Sequence, residues 1–421
     1  MTKLAALQGV RVLDFSKILA GPLCAQYLGD MGADVVKVEP IDVGDDTRRY
    51  PPFRTSEKKD QRAKVGDGAS PDVDGTIFLS ANRNKRSFAL DLKSQAGREI
   101  CHKLVETADV VIESFGPGVA ERLGIDHATL MAINPRLIHC SISGYGSVGP
   151  MREGKGYDAI LQAFSGMLSI TGERSGKPVR SPFSPVDQGA GMQALTGILA
   201  GLLDRTHTGL GMRVETSLYD ASIGFLGYIL QGFWETGHEP QPPGSSHDSL
   251  VPYEVFETGD KPLMLGVAND VMWQKFCTVA GADALGNDLR FRTNAQRVAN
   301  RAEAVAAVSA LLMRRTRAQW IHALSDVGIP VSPVNTLAEM EDHPHTAASG
   351  IVQTYQHPVY GELRTVSQPL KFGGKRNQVT HAAPLLGEHT REIMLEAGYT
   401  AEEFDAFLAA HVIGARTGKV A

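Results

Sequence analysis

The run VRVLDF at residues 10–15, followed by GPLCAQYLGDMG and then DVVKVE at residues 34–39, constrains the fold more than any other feature of the chain. The outer segments are rich in β-branched and apolar residues, and the middle one carries Pro22 where a first helical turn tolerates it. Strand, helix and strand in succession pair in parallel through a right-handed crossover. A chain that opens this way is committed to a sheet with helices packed on its faces.

The rhythm continues. SQAGREICHKLVETA starts at Ser94, a helix-capping residue type, and sets Ile100, Leu104 and Val105 on one face. DVVIES and RLIHCSIS read as buried strands, with PGVAERLGIDHATLMAINP helical between them and interrupted at Gly124. The expectation is an α/β fold, a doubly wound Rossmann-like large domain over 1–201. Beyond 202 the composition shifts, and LLDRTHTGLGMRVETSLYDASIGFLGYILQGFWETG reads as a turn and a long apolar helix, a linker over 202–232. VPYEVFETGDKPLMLGVAN reads as a hairpin about Thr258, Gly259 and Asp260, and helical stretches follow near 270–280 and 299–327. These make a smaller α+β domain over 233–332, a return linker over 333–369, and a helical tail within 370–421 that rejoins the large domain. Residues 50–75, polar and rich in Pro and Gly, read as a long exposed loop.

Composition removes several function classes. With 421 residues the chain exceeds the size at which one core usually divides. A net charge of −5 argues against non-specific nucleic-acid binding. The longest apolar run, ALTGILAGLL, is too short to span a bilayer, and no secretory signal pattern opens the chain. Cys24, Cys101, Cys140 and Cys277 lack CxxC or CxH spacing, so neither a metal site nor a disulfide framework is expected. The expected setting is cytoplasmic, with no membrane or nucleic-acid partner and no permanently bound cofactor.

Familiar catalytic signatures are missing: LAGPLCAQ after the first strand has a single glycine and not the GxGxxG of a dinucleotide fold, and no GxxxxGK[ST], GxSxG or HExxH occurs. Cationic side chains that could meet phosphates are Lys17, Arg48 and the cluster Asn82-Arg83-Asn84-Lys85-Arg86, with Lys93 and Arg122 beside them. The simpler reading of that cluster is a solvated basic face. His247 in GSSHDS reads as a loop histidine at a domain joint. Two carboxylates remain, Asp158 in GKGYDAILQAFSG and Asp187 in SPVDQGAG. Asp187 has two open readings, a cap on the following helix or a nucleophile whose small neighbours let backbone N–H groups reach an oxyanion.

The order of segments then carries a resemblance. LDFSKILAGPLCAQYLGDMGADVVKVE, GDDTR, NRNKRSFALDLKS, ESFGPGVAERLG, SISGYGSVGP, GYDAILQAFSG, VDQGAGMQALTGILAGLL, HDSLVPYEVF, GIPVSPVN and PLLGEHT run from residue 10 to 390. In that order they resemble the class III CoA-transferases, the family of formyl-CoA transferase and carnitine CoA-transferase. The resemblance implies that Asp187 is the catalytic nucleophile, with coenzyme A or an acyl-CoA as substrate. It implies CoA contacts at Lys17, Leu90, Lys93, Phe115, Arg122 and Lys155, while Pro40 and Ser114 stand where formyl-CoA transferase has other contact residues. Tyr157 and Asp158 match a Tyr–acidic pair near the reaction centre, and Gln188 and Gly189 match the walls of the carbonyl site. An interlocked homodimer of ring-like chains is implied as well.

Departures narrow the reading. Racemases of the same family carry His before the acidic residue of the GYD segment; here it is Tyr157, and a phenol with an ordinary pKa of about 10 is a poor base at neutral pH. Leu19 replaces the Gln that formyl-CoA transferase sets beside its small acids, and no run of consecutive glycines is present to form that enzyme's cover. VPYEVFETGD and GYDAILQAFSGMLSITG look closer to the branch that uses succinyl-CoA and C4–C6 dicarboxylates. Arg180, ahead of Asp187, is the candidate partner for a distal carboxylate. The alternatives are an α-methylacyl-CoA racemase and a non-catalytic CoA-binding or scaffold protein.

Overall fold

A computed structural model describes residues 6–53 and 74–416. Most of the loop expected at 50–75 therefore lies outside the described residues. The described chain falls into two compact units, the larger drawn from Met1–Ser165, Ser181–Leu230 and Ala348–Ala421, the smaller from Gly166–Arg180 and Gln231–Ala347.

The larger unit is built on six parallel strands: β1 (Arg11–Asp14), β2 (Asp34–Glu39), β3 (Lys85–Leu90), β4 (Val110–Glu113), β5 (Ile138–Ser143) and β6 (Met212–Ser217). Their order is β3-β2-β1-β4-β5-β6, with the short strand Ile413–Gly414 antiparallel on the β3 edge. This is the strand order of a doubly wound sheet, in which the direction of winding reverses between β1 and β4. Register is tight across that point: Leu13 lies opposite Val36 on one side and Val111 on the other.

Alternation in the strands explains the two covered faces. Leu13, Phe15, Val36, Val38, Phe88 and Val111 join Ile100, Leu104, Val105, Leu130, Ile393 and Phe404 in one fully buried core. On the other face the helix Ala20–Asp30 meets the long helix Pro185–Thr208. That crossing is close because of small residues: a Cβ added at Gly191 would stand 2.5 Å from the backbone oxygen of Ala20. Gly197 likewise faces Val214, and Gly201 faces Ile138 and Met212. The small residues after Asp187 thus let a helix approach its neighbours.

Residues 202–232, expected as one linker helix, comprise the last turns of the helix Pro185–Thr208, strand β6 and helices Leu218–Phe225 and Gly227–Thr236. Gly209 ends the first helix at φ 74°, and MRVETS then pairs with β5. The strand was hard to read because β6 is an edge strand whose outward positions carry Arg213 and Glu215, an ion pair at 2.7 Å. Within the expected return linker, Val352–His357 and Gly361–Val366 form an antiparallel hairpin.

The smaller unit holds a three-stranded antiparallel sheet of Tyr253–Phe256, Leu263–Gly266 and Val331–Pro333. Helices Asp270–Val279, Arg301–Leu312 and Arg317–Ser325 bury Trp273, Phe276, Val308, Trp320 and Leu324 with it. The hairpin turn at Thr258–Asp260 matches its sequence signal, Thr258 Oγ1 donating to Asp260 and to the Lys261 carbonyl.

Candidate functional site

The loops that leave β1 and β4 border a cleft of about 800 Å³ in the larger unit. It sits where a doubly wound sheet binds ligands, outside the carboxyl ends of the strands at the reversal of winding. Lys17, Leu19, Phe115, Lys155, Tyr157 and Asp187 all line it.

Asp187 is the third residue of the helix Pro185–Thr208. Ser184, which precedes the helix, lies in the left-handed region at φ 51° and makes no side-chain cap. The cap comes from another helix. Asp158 Oδ1 accepts the backbone N–H of Val186 at 2.9 Å and of Asp187 at 3.2 Å. The reading of Asp187 as a cap is therefore corrected: Asp158 does that work, which leaves the Asp187 carboxyl free. Among the described residues no hydrogen bond holds that carboxyl, and it stands partly buried at the cleft wall. Burial pushes it up to about 7, and the negative charge of Asp158 adds to the shift.

The expected oxyanion donors are also corrected. The N–H groups of Val186 and Asp187 are taken by Asp158, and that of Gln188 by the Ser184 carbonyl. Gln188 turns its side-chain amide to the Phe183 carbonyl. Gly189 is buried, and a Cβ there would meet the Phe225 ring at 2.5 Å, so its smallness serves packing.

Tyr157 precedes the helix Asp158–Phe164 and is 63% exposed at the cleft. Asp158 itself is 7% exposed. Its other oxygen accepts Gln162 Nε2 at 2.5 Å, and Gln162 Oε1 accepts the N–H of Ser181 at 2.9 Å. Sequence reasoning passed over Gln162; the signal was its i,i+4 spacing from Asp158, which puts both on one helix face.

The loop after β1 is held from below. Lys37 Nζ donates to the Ser16 carbonyl at 2.9 Å, and the Lys17 N–H donates to Ser114 Oγ at 3.0 Å. The next residue, Ile18, has φ 72°, a costly conformation for a β-branched residue. Lys17 Nζ forms an ion pair with Asp46 at 3.7 Å and Lys155 is exposed; both cations line the cleft.

Other expected contact residues lie apart from its lining. Leu90 is buried at the end of β3, Lys93 is exposed beyond it, and Arg122 is exposed on the short helix Val119–Leu123. Arg180 is exposed in the smaller unit, as is His247. Pro40 is exposed after β2, while Ser114 lines the cleft.

The basic cluster is neither a phosphate cradle nor a solvated face. Arg83 pairs with Asp30 at 2.6 Å, Lys85 with Asp14 at 2.8 Å, and Arg86 with Asp34 at 2.6 Å. Arg48 forks onto Glu39 and reaches Asp74 at 2.9 Å. Most of these side chains are buried inside the sheet's margin, where a charge survives only when paired.

The whole chain has relatives. Residues 7–390 match the model of CoA-transferase family III. An acyl-CoA transferase of Fusarium pseudograminearum is 36% identical, covering 94% of this chain and 86% of that one. The mouse succinyl-CoA:glutarate CoA-transferase is 35% identical over 93% of this chain and 86% of its own. A solved CAIB/BAIF family protein from Brucella suis superposes with a TM-score of 0.83 at 32% identity, covering 94% of this chain and all of that one. With a family model spanning nearly its full length and relatives of this identity and coverage, the chain belongs to CoA-transferase family III.

Proposed function

We propose that this CoA-transferase moves CoA from succinyl-CoA to a C4–C6 dicarboxylate through covalent intermediates on Asp187. The observation that carries the reading is the Asp187 carboxyl, unpartnered and partly buried at the wall of the switch-point cleft. Relatives named for succinyl-CoA and glutarate, from mouse and from Agrobacterium fabrum at 34% identity, supply the substrate class.

In the proposed cycle the Asp187 carboxylate attacks the thioester carbonyl. The C–S bond breaks, giving an aspartyl–succinyl anhydride and CoA thiolate. The thiolate attacks the aspartyl carbonyl and expels succinate, leaving an aspartyl–CoA thioester. The acceptor carboxylate attacks that thioester to form a second anhydride, and the released thiolate then attacks the acceptor carbonyl. The new acyl-CoA departs and Asp187 is regenerated as a carboxylate. Each step exchanges one activated acyl group for another, so no external energy source is required. Lys17 and Lys155 suit the phosphates of CoA, and Phe115 offers an apolar surface. Arg180 is the candidate partner for the distal carboxylate of the acceptor.

A homodimer follows from the same reading. Phe164, Phe183, Leu203, Phe225 and Tyr228 are exposed on the larger unit, Phe183 by 65% and Tyr228 by 83%. Large apolar side chains left exposed in this way are what a subunit contact would cover. The proposed site of action is the cytoplasm; no described helix is long and apolar enough to cross a membrane.

The test is incubation with succinyl-CoA and glutarate, followed by product analysis and by hydroxylamine trapping of the Asp187 peptide. Glutaryl-CoA and a hydroxamate at Asp187 are expected. Failure of succinyl-CoA where other acyl-CoA esters work would overturn the donor assignment. An unmodified peptide together with α-proton exchange in the acyl group would mean racemase chemistry.

A further inference from the structure

We infer that Gln162 is a positioning residue for the nucleophile: it fixes Asp158 as the acceptor that caps the Asp187 helix, and through that carboxylate controls how readily Asp187 gives up its proton. The inference rests on Asp187 being the nucleophile and names what regulates its ionisation.

Three donors converge on Asp158: the N–H groups of Val186 and Asp187 on Oδ1, and Gln162 Nε2 on Oδ2. No acceptor meets either oxygen among the described residues, so the arrangement suits a carboxylate and not an acid. Gln162 is 2% exposed, and its amide has only one workable orientation. Its oxygen must accept from Ser181 N–H and its nitrogen must donate to Asp158. Gln162 and Ser181 also flank the segment Gly166–Arg180 that belongs to the smaller unit. One side chain therefore ties both ends of that excursion to the cap of the nucleophile's helix.

Asp158 is also the charge that acts on Asp187, adding to the effect of burial. Other ionisable groups around the same cleft are Lys17, Asp46, Tyr50, Lys155, Tyr157 and Asp220, with Glu113, Glu121, Asp126, His127, His139, Arg152, Glu153, Arg213 and Glu215 also in its lining. Losing the Gln162 donor leaves Asp158 Oδ2 buried without a partner. The least costly remedy is for Asp158 to bind a proton, which removes the charge that Asp187 faces. Asp187 then ionises at lower pH.

The experiment needs no acyl-CoA. Asp187 in the full chain is labelled with a water-soluble carbodiimide and an amine across a pH series, and its peptide is quantified by mass spectrometry. Wild type, Gln162→Leu and Gln162→Met are compared, with folding checked by circular dichroism. The Asp187 midpoint is expected to fall by about one pH unit in Gln162→Leu, the size of a like-charge effect at this range. Gln162→Met, which keeps the length of the side chain and loses the donor, is expected to lower it likewise. An unchanged or raised midpoint in folded Gln162→Leu overturns the inference; if that variant does not fold, an unchanged or raised midpoint in Gln162→Met does so. Failure of the nucleophile reading looks different: wild-type Asp187 keeps its titration but forms no hydroxamate after incubation with succinyl-CoA.

Discussion

Asp45 and Asp187 are both substantially buried aspartates at the margins of the same sheet, yet they titrate in opposite directions. Burial alone would push Asp45 up, but Lys37 at 3.0 Å and two hydrogen bonds from Thr47 bring it down to about 2. Burial pushes Asp187 up to about 7, and its nearest charge, Asp158, has the same sign. Around Asp45 the chain has surrounded acids with bases: Asp14 with Lys85 and Lys37, Glu39 with Arg48. Around Asp187 it has put an acid beside an acid. The first region is assembled to be stable, whereas the second stores a carboxylate that gains by becoming neutral, as it would in the proposed acylated intermediate.

The sharpest way to break this comparison is Asp187→Asn. Activity is expected to fall by at least about a thousandfold, because the amide is no nucleophile. Stability should move the other way. The folded carboxyl binds its proton more tightly than the unfolded one, so its destabilising effect is absent below pH 3.8 and complete above about 7. Thermal unfolding of Asp187→Asn should therefore match wild type at pH 3 and run a few degrees higher at pH 8. A variant equally stable at both pH values would break the contrast.

The reciprocal experiment is Asp14→Asn, which leaves Lys85 and Lys37 facing a lost charge. Breaking a buried pair costs about 3–5 kcal/mol, visible in the denaturant midpoint. Gly191→Ala tests whether smallness after Asp187 is structural. With backbone 2.5 Å from the new Cβ, a loss of about 1–3 kcal/mol is expected, with the Asp187 pH midpoint unchanged.

The subtlest test is Asp158→Asn. With its oxygen on the cap the new amide nitrogen faces Gln162 Nε2, donor against donor, so some stability is lost; its charge is gone, and the rise of kcat/KM with pH, expected near 7 in wild type, should shift down by about one unit. A profile that stays in place would mean that burial alone sets the Asp187 proton affinity.

Much of the fold was legible from periodicity. VRVLDF, DVVKVE and DVVIES are strands rich in β-branched and apolar residues because both sheet faces are covered, and the hairpin near Thr258 carried its own turn residues. Strand β6 was not legible, because Arg213 and Glu215 on an exposed edge blur the pattern. Asp187 was picked out as a candidate by its setting, but the reason given for its glycine neighbours was wrong. Gly189 and Gly191 admit a Phe ring and a backbone. The basic run at residues 82–86 misled for a related reason. Its partners Asp30, Asp14 and Asp34 lie more than fifty residues upstream, and no local window joins them.

By itself the sequence determined the parallel sheet and the family, and it singled out Asp187 as the candidate nucleophile, since these depend on residue type, order and period. Tertiary structure alone decided which acid caps the helix and which stays free, and which cations are spent on pairing. Those outcomes depend on distances between residues remote in the chain: Asp158 reaches Val186 across twenty-eight positions, and Lys85 reaches Asp14 across seventy-one. Charge in a low-dielectric interior is governed by its nearest neighbour, and only folding chooses that neighbour.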